Sequence, residues 1–288
     1  MKFIHLTDTH VVGGGARLYG ADPARRLALA VDSINAEHGD AGFVIVTGDL
    51  THWGDAAAYD AFAAQIERLT MPVRLMVGNH DKTADFAARF PAAPRDENGF
   101  VQFAFDTRHG RALCLDTTRP GSSAGAMCAA RLGWLADRLA GSEAPVLLFM
   151  HHPPFPVGIA AMDRIMMHDS EAFHDAIAPH KARIRHLFFG HVHRAIFGNW
   201  RGIGFSCMRG LNHQVALDLS PDASAIPGDL AGPAYGVVLL DDDRVVVHLH
   251  DFADRSPRFS LHAPEGTDPR AWALDMRHPG YRDLAPPG

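Results

Sequence analysis

The chain has 288 residues, 47% hydrophobic and 21% charged, enough to bury a sizeable core and without any block of like charges that would mark a disordered tail. Its formal net charge of -6 argues against a protein that lives on duplex DNA or an anionic membrane. A small phosphate ligand is not excluded, because bound cations would supply their own positive charge. No run reaches the roughly 18 apolar residues that span a bilayer, and the first residues lead straight into a polar motif with no room for a cleavable leader, so the cytoplasm is the expected compartment. Cys114, Cys128 and Cys207 are odd in number and far apart, which reads as reduced, buried thiols and not a disulfide frame.

In chain order, short apolar runs alternate with amphipathic stretches. Residues 2–6, 43–46, 73–77, 146–150 and 184–189 read as buried strands, and 23–37, 56–69, 126–139 and 170–177 as helices. Asp22-Pro23 and Asp55 supply helix starts, by N-cap chemistry and by proline in the first turn. Residues 100–105 and 112–115 flank a turn at His109-Gly110 and read as an antiparallel pair. After residue 193 the helices stop, and strands are expected at 195–200, 203–207, 214–219, 235–240 and 245–249. The expected architecture is one α/β domain over residues 1–250, two mixed sheets face to face with helices outside, followed by a proline-bearing tail, 251–288, laid on the surface.

The strand ends carry the chemistry. Five successive buried strands run into Asp8-Thr9-His10, Gly48-Asp49, Gly78-Asn79-His80-Asp81, His151-His152-Pro153-Pro154 and Gly190-His191-Val192-His193. Ligands gather at the carboxyl ends of strands in open α/β sheets. Oxygen and imidazole donors without cysteine suit Mn, Fe, Co or Zn. In an extended segment the i and i+2 residues of D-x-H and H-x-H project to one side and can share an ion. Asp49, a single carboxylate among imidazoles, could offer one oxygen to each of two cations about 3.5–4 Å apart, the spacing used for in-line displacement at phosphorus. Each fragment alone is common in turns; five of them, in order and each at a strand end, are not.

With these motifs in place, the sequence resembles the calcineurin-like metallophosphoesterase superfamily, over residues 1 to about 250, and its GNHD and HHPP forms are most similar to class III cyclic-nucleotide phosphodiesterases and the glycerophosphodiesterases related to them. The resemblance implies a four-layer αββα sandwich. It implies one metal held by Asp8, His10, Asp49 and His193, a second held by Asp49, Asn79, His151 and His191, and no missing donor. The ions would be two divalent or trivalent metals drawn from Fe, Mn, Zn and Co. His80 resembles the active-site histidine that contacts the substrate phosphate, with Asn79 beside it, and His213 resembles a substrate-facing position. Alternation points His152 away from the metal of His151, and His52 lies just past the Gly-Asp motif, where it could face the cleft.

These readings imply an enzyme that hydrolyses small phosphodiesters, cyclic nucleotides or glycerophosphodiesters, through a metal-activated hydroxide. His80 would stabilise the transition state or protonate the leaving alkoxide. A phosphomonoesterase or nucleotidase with the same metals is the alternative within enzymes, and a metal-binding scaffold the alternative outside them. Arg164, Arg201 and Arg209 are candidates for phosphate contact, and residues 157–168, with Met162 and Met167, for a lid. Family relatives often assemble, so a homo-oligomer of two or more copies is expected, with neither duplex nucleic acid nor membrane as partner.

Overall fold

The computed structural model describes residues 1–275, and the chain divides into two units, Met1–Phe252 and Ala253–Gly288. The first unit contains, in order, β1 Lys2–Leu6, α1 Pro23–His38, β2 Val44–Thr47, α2 Ala56–Ile66, β3 Val73–Met76, α3 Thr83–Arg89, β4 Phe103–Thr107 and β5 Gly110–Cys114. It continues with α4 Ala129–Ala140, β6 Val146–Phe149, α5 Ala160–Asp163, α6 Ser170–Ile177, β7 Ile184–Phe189, β8 Ile196–Trp200 and β9 Ile203–Cys207, then β10 Gln214–Val215, β11 Gly228–Asp229, β12 Tyr235–Leu240 and β13 Val245–His250. Asp22 and Asp55 cap α1 and α2 by accepting from the Arg25 and Ala58 backbone N–H groups.

Two large mixed sheets result, ordered β13-β12-β1-β2-β3 and β4-β5-β6-β7-β9-β8. β1, β2 and β3 pair in parallel, as do β5, β6, β7 and β9, while β12–β13, β4–β5 and β8–β9 are antiparallel. Alternation along the strands builds the layers. Phe3, Ile45, Leu147, Phe149 and Phe188 meet in the core between the sheets. Their neighbours Val146, Leu148, Leu187 and Phe189 turn to the other face and pack with Trp134 and Leu135 of α4 and Phe173 of α6. Ile4, Leu6, Val44 and Val46, also fully buried, use the outer face of the first sheet, where α1 and α2 bury Leu27, Val31 and Phe62. The fold is the αββα sandwich.

Some boundaries differ from the sequence reading. The strand expected at 214–219 is only two residues long, because 216–227 turns away before pairing further. The short α3, capped on no side chain, carries too little periodicity to be seen in the sequence. Cys128 is exposed, unlike the buried Cys114 and Cys207. Within the second unit, Pro269–Asp275 forms a helix, α7, whose first N–H groups are taken by the Asp268 carboxylate. Among the described residues, no helix is long and apolar enough to cross a membrane.

Candidate metal centre

Asp8 and His10 follow β1, Asp49 follows β2, Asn79 and His80 follow β3, His151 follows β6, and His191 and His193 follow β7. The chain does not stay extended at these ends. Asp8, His10, Asp49, His191 and His193 all adopt left-handed backbone, with φ of 51, 45, 50, 67 and 51°. Such residues cost about 1–3 kcal/mol each and persist only where their surroundings impose them. The simple alternation argument for D-x-H and H-x-H therefore fails, because neither pair is in strand conformation. Close packing sets the turns instead: a Cβ on Gly78 would lie 2.3 Å from Asp49 Oδ1, and one on Gly190 would lie 2.0 Å from Thr7 Oγ1.

The turns bring the donors together. Donor atoms of Asp8, His10, Asp49 and His193 all lie within 4.8 Å of one another. His193 Nε2 is 3.3 Å from Asp8 Oδ1 and 3.0 Å from His10 Nε2. On the other side, His151 Nε2 lies 3.2 Å from Asn79 Oδ1. Asp49 joins the two groups through one atom: Oδ2 is 3.4 Å from His10 Nε2 and 3.3 Å from His151 Nε2. Its Oδ1 instead accepts the His80 backbone N–H at 2.9 Å. Oδ2 is thus the carboxylate oxygen that both imidazoles approach. The H-x-H pair splits as well, since the His191 ring packs 5.2 Å from His151 and 4.6 Å from His152.

Hydrogen bonding elsewhere fixes which ring nitrogen faces inward. His151 Nδ1 donates to the Thr47 carbonyl at 2.8 Å, and His193 Nδ1 to the His213 carbonyl at 2.9 Å. Each Nε2 is left facing carboxylate or carbonyl oxygens, which a neutral imidazole nitrogen would repel. Protons can fill that role: burial opposes the charge on His151, but Asp49 and Asp8 outweigh it and hold its pKa up at about 9. His193 is likewise raised, by Asp8 against burial. Burial also works against ionised Asp8 and Asp49, and the facing His193 and His151 outweigh it, keeping both carboxyls below their usual range. His191 is different. Burial and the neighbouring His151 push its pKa down to about 3, and its buried Nε2 has no hydrogen-bond partner. An orphaned buried imidazole nitrogen grouped with His151 and His152, with no thiolate in the set, fits a cation.

The centre lies in a cavity of about 530 Å³ lined by His10, Asp49, Asn79, His80, His191, His193 and His213, with Tyr19 and His52 beside them. His80 Nδ1 donates to the His52 carbonyl at 2.8 Å, and its ring stacks on His52 with centroids 4.6 Å apart. His52 Nδ1 in turn meets His10 Nδ1 at 3.0 Å, which orients the His10 ring. His213 packs 4.5 Å from His193. His152 has both ring nitrogens committed, Nδ1 to Thr117 Oγ1 at 2.8 Å and Nε2 to the Ser123 carbonyl at 3.2 Å, so it supports the wall.

The calcineurin-like phosphoesterase family model matches residues 1–195. The chain belongs to this family. A probable cyclic nucleotide phosphodiesterase of Rhodopseudomonas palustris is 47% identical over 266 residues, covering 91% of this chain and 96% of the relative. A probable glycerophosphodiester phosphodiesterase of Arcobacter nitrofigilis is 31% identical over 229 residues, covering 78% and 84%. A dimetal phosphatase structure from Danio rerio superimposes with a TM-score of 0.67 at 17% identity, over 88% of this chain and 96% of that one, which is a likeness of fold. Membership in the calcineurin-like phosphoesterases implies divalent metal ions, and the Asp and His clusters are where this chain offers them donors.

For a calcineurin-like phosphoesterase, the most informative residue without a role in the sequence reading is Asp81. Its carboxylate accepts from the backbone N–H groups of Gly78, Leu50 and Thr51 and from the Tyr59 hydroxyl, at 2.9–3.2 Å. It ties the loop carrying Asp49 to the loop carrying Asn79 and His80. Burial, then the charge of Asp49, raise its pKa to about 6. Its place as the last residue of the GNHD motif was the available signal. The three arginines are a correction. Arg201 pairs with Glu171 at 2.5 Å, Arg209 with Asp251 at 2.7 Å, and Arg164 donates to the Ala223 carbonyl at 2.6 Å; none lines the cavity. In the supposed lid, Met162 lines the cavity but Met167 is core, and the Asp163 carboxylate pins the segment by accepting from Val157 and Gly158 N–H.

Proposed function

We propose that this protein hydrolyses small phosphodiesters, with cyclic nucleotides and glycerophosphodiesters as the substrate class. The observation that carries the reading is Asp49 Oδ2 held between His10 Nε2 and His151 Nε2, at 3.4 and 3.3 Å, on the floor of an open cavity. In this reading Asp8, His10, Asp49 and His193 hold one cation, and Asp49, Asn79, His151 and His191 hold another, drawn from Fe, Mn, Zn and Co. When bound, the pair supplies positive charge for the phosphate oxygens and lowers the pKa of water from about 15.7 to near 7.

The chain's own groups do the rest. His80, with Nδ1 committed to the His52 carbonyl, keeps Nε2 for the substrate, where it protonates the departing alkoxide. Asn79 and His213 line the cavity beside it and orient the phosphate. Met162, Ile165, Ile226 and Leu230 give the same cavity an apolar wall for an ester substituent. Among the described residues lining the cavity there is no Lys or Arg, so positive charge for the substrate phosphate would come from the cations.

The test is turnover of bis(p-nitrophenyl) phosphate against p-nitrophenyl phosphate on metal-reconstituted protein, with Asp49→Ala as the blank. Faster diester hydrolysis, abolished in the blank, is expected. A monoester preference would make the protein a phosphomonoesterase, and no turnover of either would make it a scaffold. We extend the reading to a cytoplasmic homo-oligomer: exposed Leu217 and Leu219, outside the cavity lining, supply apolar surface for self-association, which sizing by light scattering checks.

A further inference from the structure

A second group of metal-ligating side chains lies outside the cavity. Glu37 and His38 end α1, and His250 ends β13, the edge strand of the first sheet. Donor atoms of the three lie within 4.8 Å of one another, and none of the three residues lines the catalytic cavity. The Nε2 atoms of both His38 and His250 are buried, and neither has a hydrogen-bond partner. His250 Nε2 stands 3.5 Å from Glu37 Oε2 without forming a hydrogen bond. Around a tetrahedral zinc with bonds of about 2.0–2.1 Å, neighbouring donors stand about 3.3 Å apart, so that contact already has the separation of two ligands on one ion.

The frame around these residues is built. The Ser33 hydroxyl on α1 bonds the Tyr235 hydroxyl on β12 at 2.8 Å, and Tyr235 is the register partner of His250. The His38 and His250 rings meet edge to face with centroids 5.3 Å apart, and the Tyr235 ring packs against both. The carboxyl end of a helix carries partial negative charge, which favours a cation beside it. Lys2, whose charge acts on His38, is itself paired with Asp40.

We propose that Glu37, His38 and His250 form a second metal site that takes one first-row divalent cation, zinc by its donor set, and clamps the last turn of α1 to the end of β13. Two imidazoles and one carboxylate leave a fourth position for water. Removing the ion would leave two buried imidazole nitrogens without partners, whereas binding it satisfies both.

The test uses full-length protein stripped with chelator, reloaded with excess zinc, desalted and measured for zinc per chain by atomic emission. The wild type is expected to retain one zinc more than His38→Gln/His250→Gln, with diester turnover unchanged. Asp49→Ala, which disables the cavity centre, is expected to keep this extra zinc, so failure here is distinguishable from failure of the phosphodiesterase reading. If the double variant does not fold, His250→Gln alone is read in the same way. Equal zinc in wild type and variant overturns the proposal and leaves the three side chains as aromatic and polar packing.

Discussion

At the residue scale, the environment of each imidazole decides its work. His80 lines the cavity and groups with His10 and His52, outside the two donor sets of the proposed reading. His80→Gln should lower kcat about 10²–10⁴-fold with a small change in KM, as expected for loss of a general acid; an unchanged kcat would reduce His80 to a packing partner of His52. His151 makes a second prediction, for the chelated protein. Its folded pKa of about 9 exceeds the ordinary value of 6.5, so its stabilisation is fully present below pH 6.5 and is lost as pH rises through 9. His191, His213 and His52, lowered chiefly by burial to about 3, 3 and 4, act in the opposite sense: their contribution is complete above pH 6.5 and is lost on acidification. Calorimetry of the chelated protein should place maximum stability near pH 6.5, with a steady fall towards pH 9. A melting midpoint that climbs across that range would contradict the assignment of charge to His151.

At the element scale, the centre depends on loops being tied to one another. Asp81 is the tie between the ends of β2 and β3, and it accepts from three backbone N–H groups that have no part in the sheet ladders. Removing the carboxylate leaves buried donors unpaired, at about 1–3 kcal/mol each. Asp81→Ala should therefore destabilise by roughly 3 kcal/mol or more and weaken metal retention about 10–100-fold, as loss of a supporting contact does. Denaturant unfolding and metal content measure the two effects; retention at the wild-type level would show that the loops hold without Asp81. Strand positions and the antiparallel pair at Phe103–Thr107 and Gly110–Cys114 were legible because short apolar runs bounded by turn residues are written into neighbouring residues. The short β11 and α3 were not, since two or seven residues carry too little pattern.

At the scale of the whole molecule, both sheets deliver donors to one cavity, so cations bound there would bridge the two halves of the sandwich. Ligands that bind only the folded state stabilise it by about 2.7 kcal/mol at 100 times Kd. Chelation should abolish diester turnover and lower the melting midpoint by about 5–10 °C for a domain of this size. Restoration by Mn or Zn completes the test; a midpoint indifferent to chelator would mean that the centre holds no ion that matters to folding.

The linear chain by itself determined the kinds of donors, their order and their placement after buried strands, because strand periodicity and turn residues act between near neighbours. Only the tertiary structure decided at what distances and in what directions those donors meet. His10 and His193, brought to 3.0 Å, are 183 residues apart. The approach of Asp49 Oδ2 to both His10 and His151, the partners taken by His152 and the removal of the arginines from the cavity all follow from contacts of that range. Left-handed turns packed against Gly78 and Gly190 set those side-chain directions, and no local periodicity encodes them.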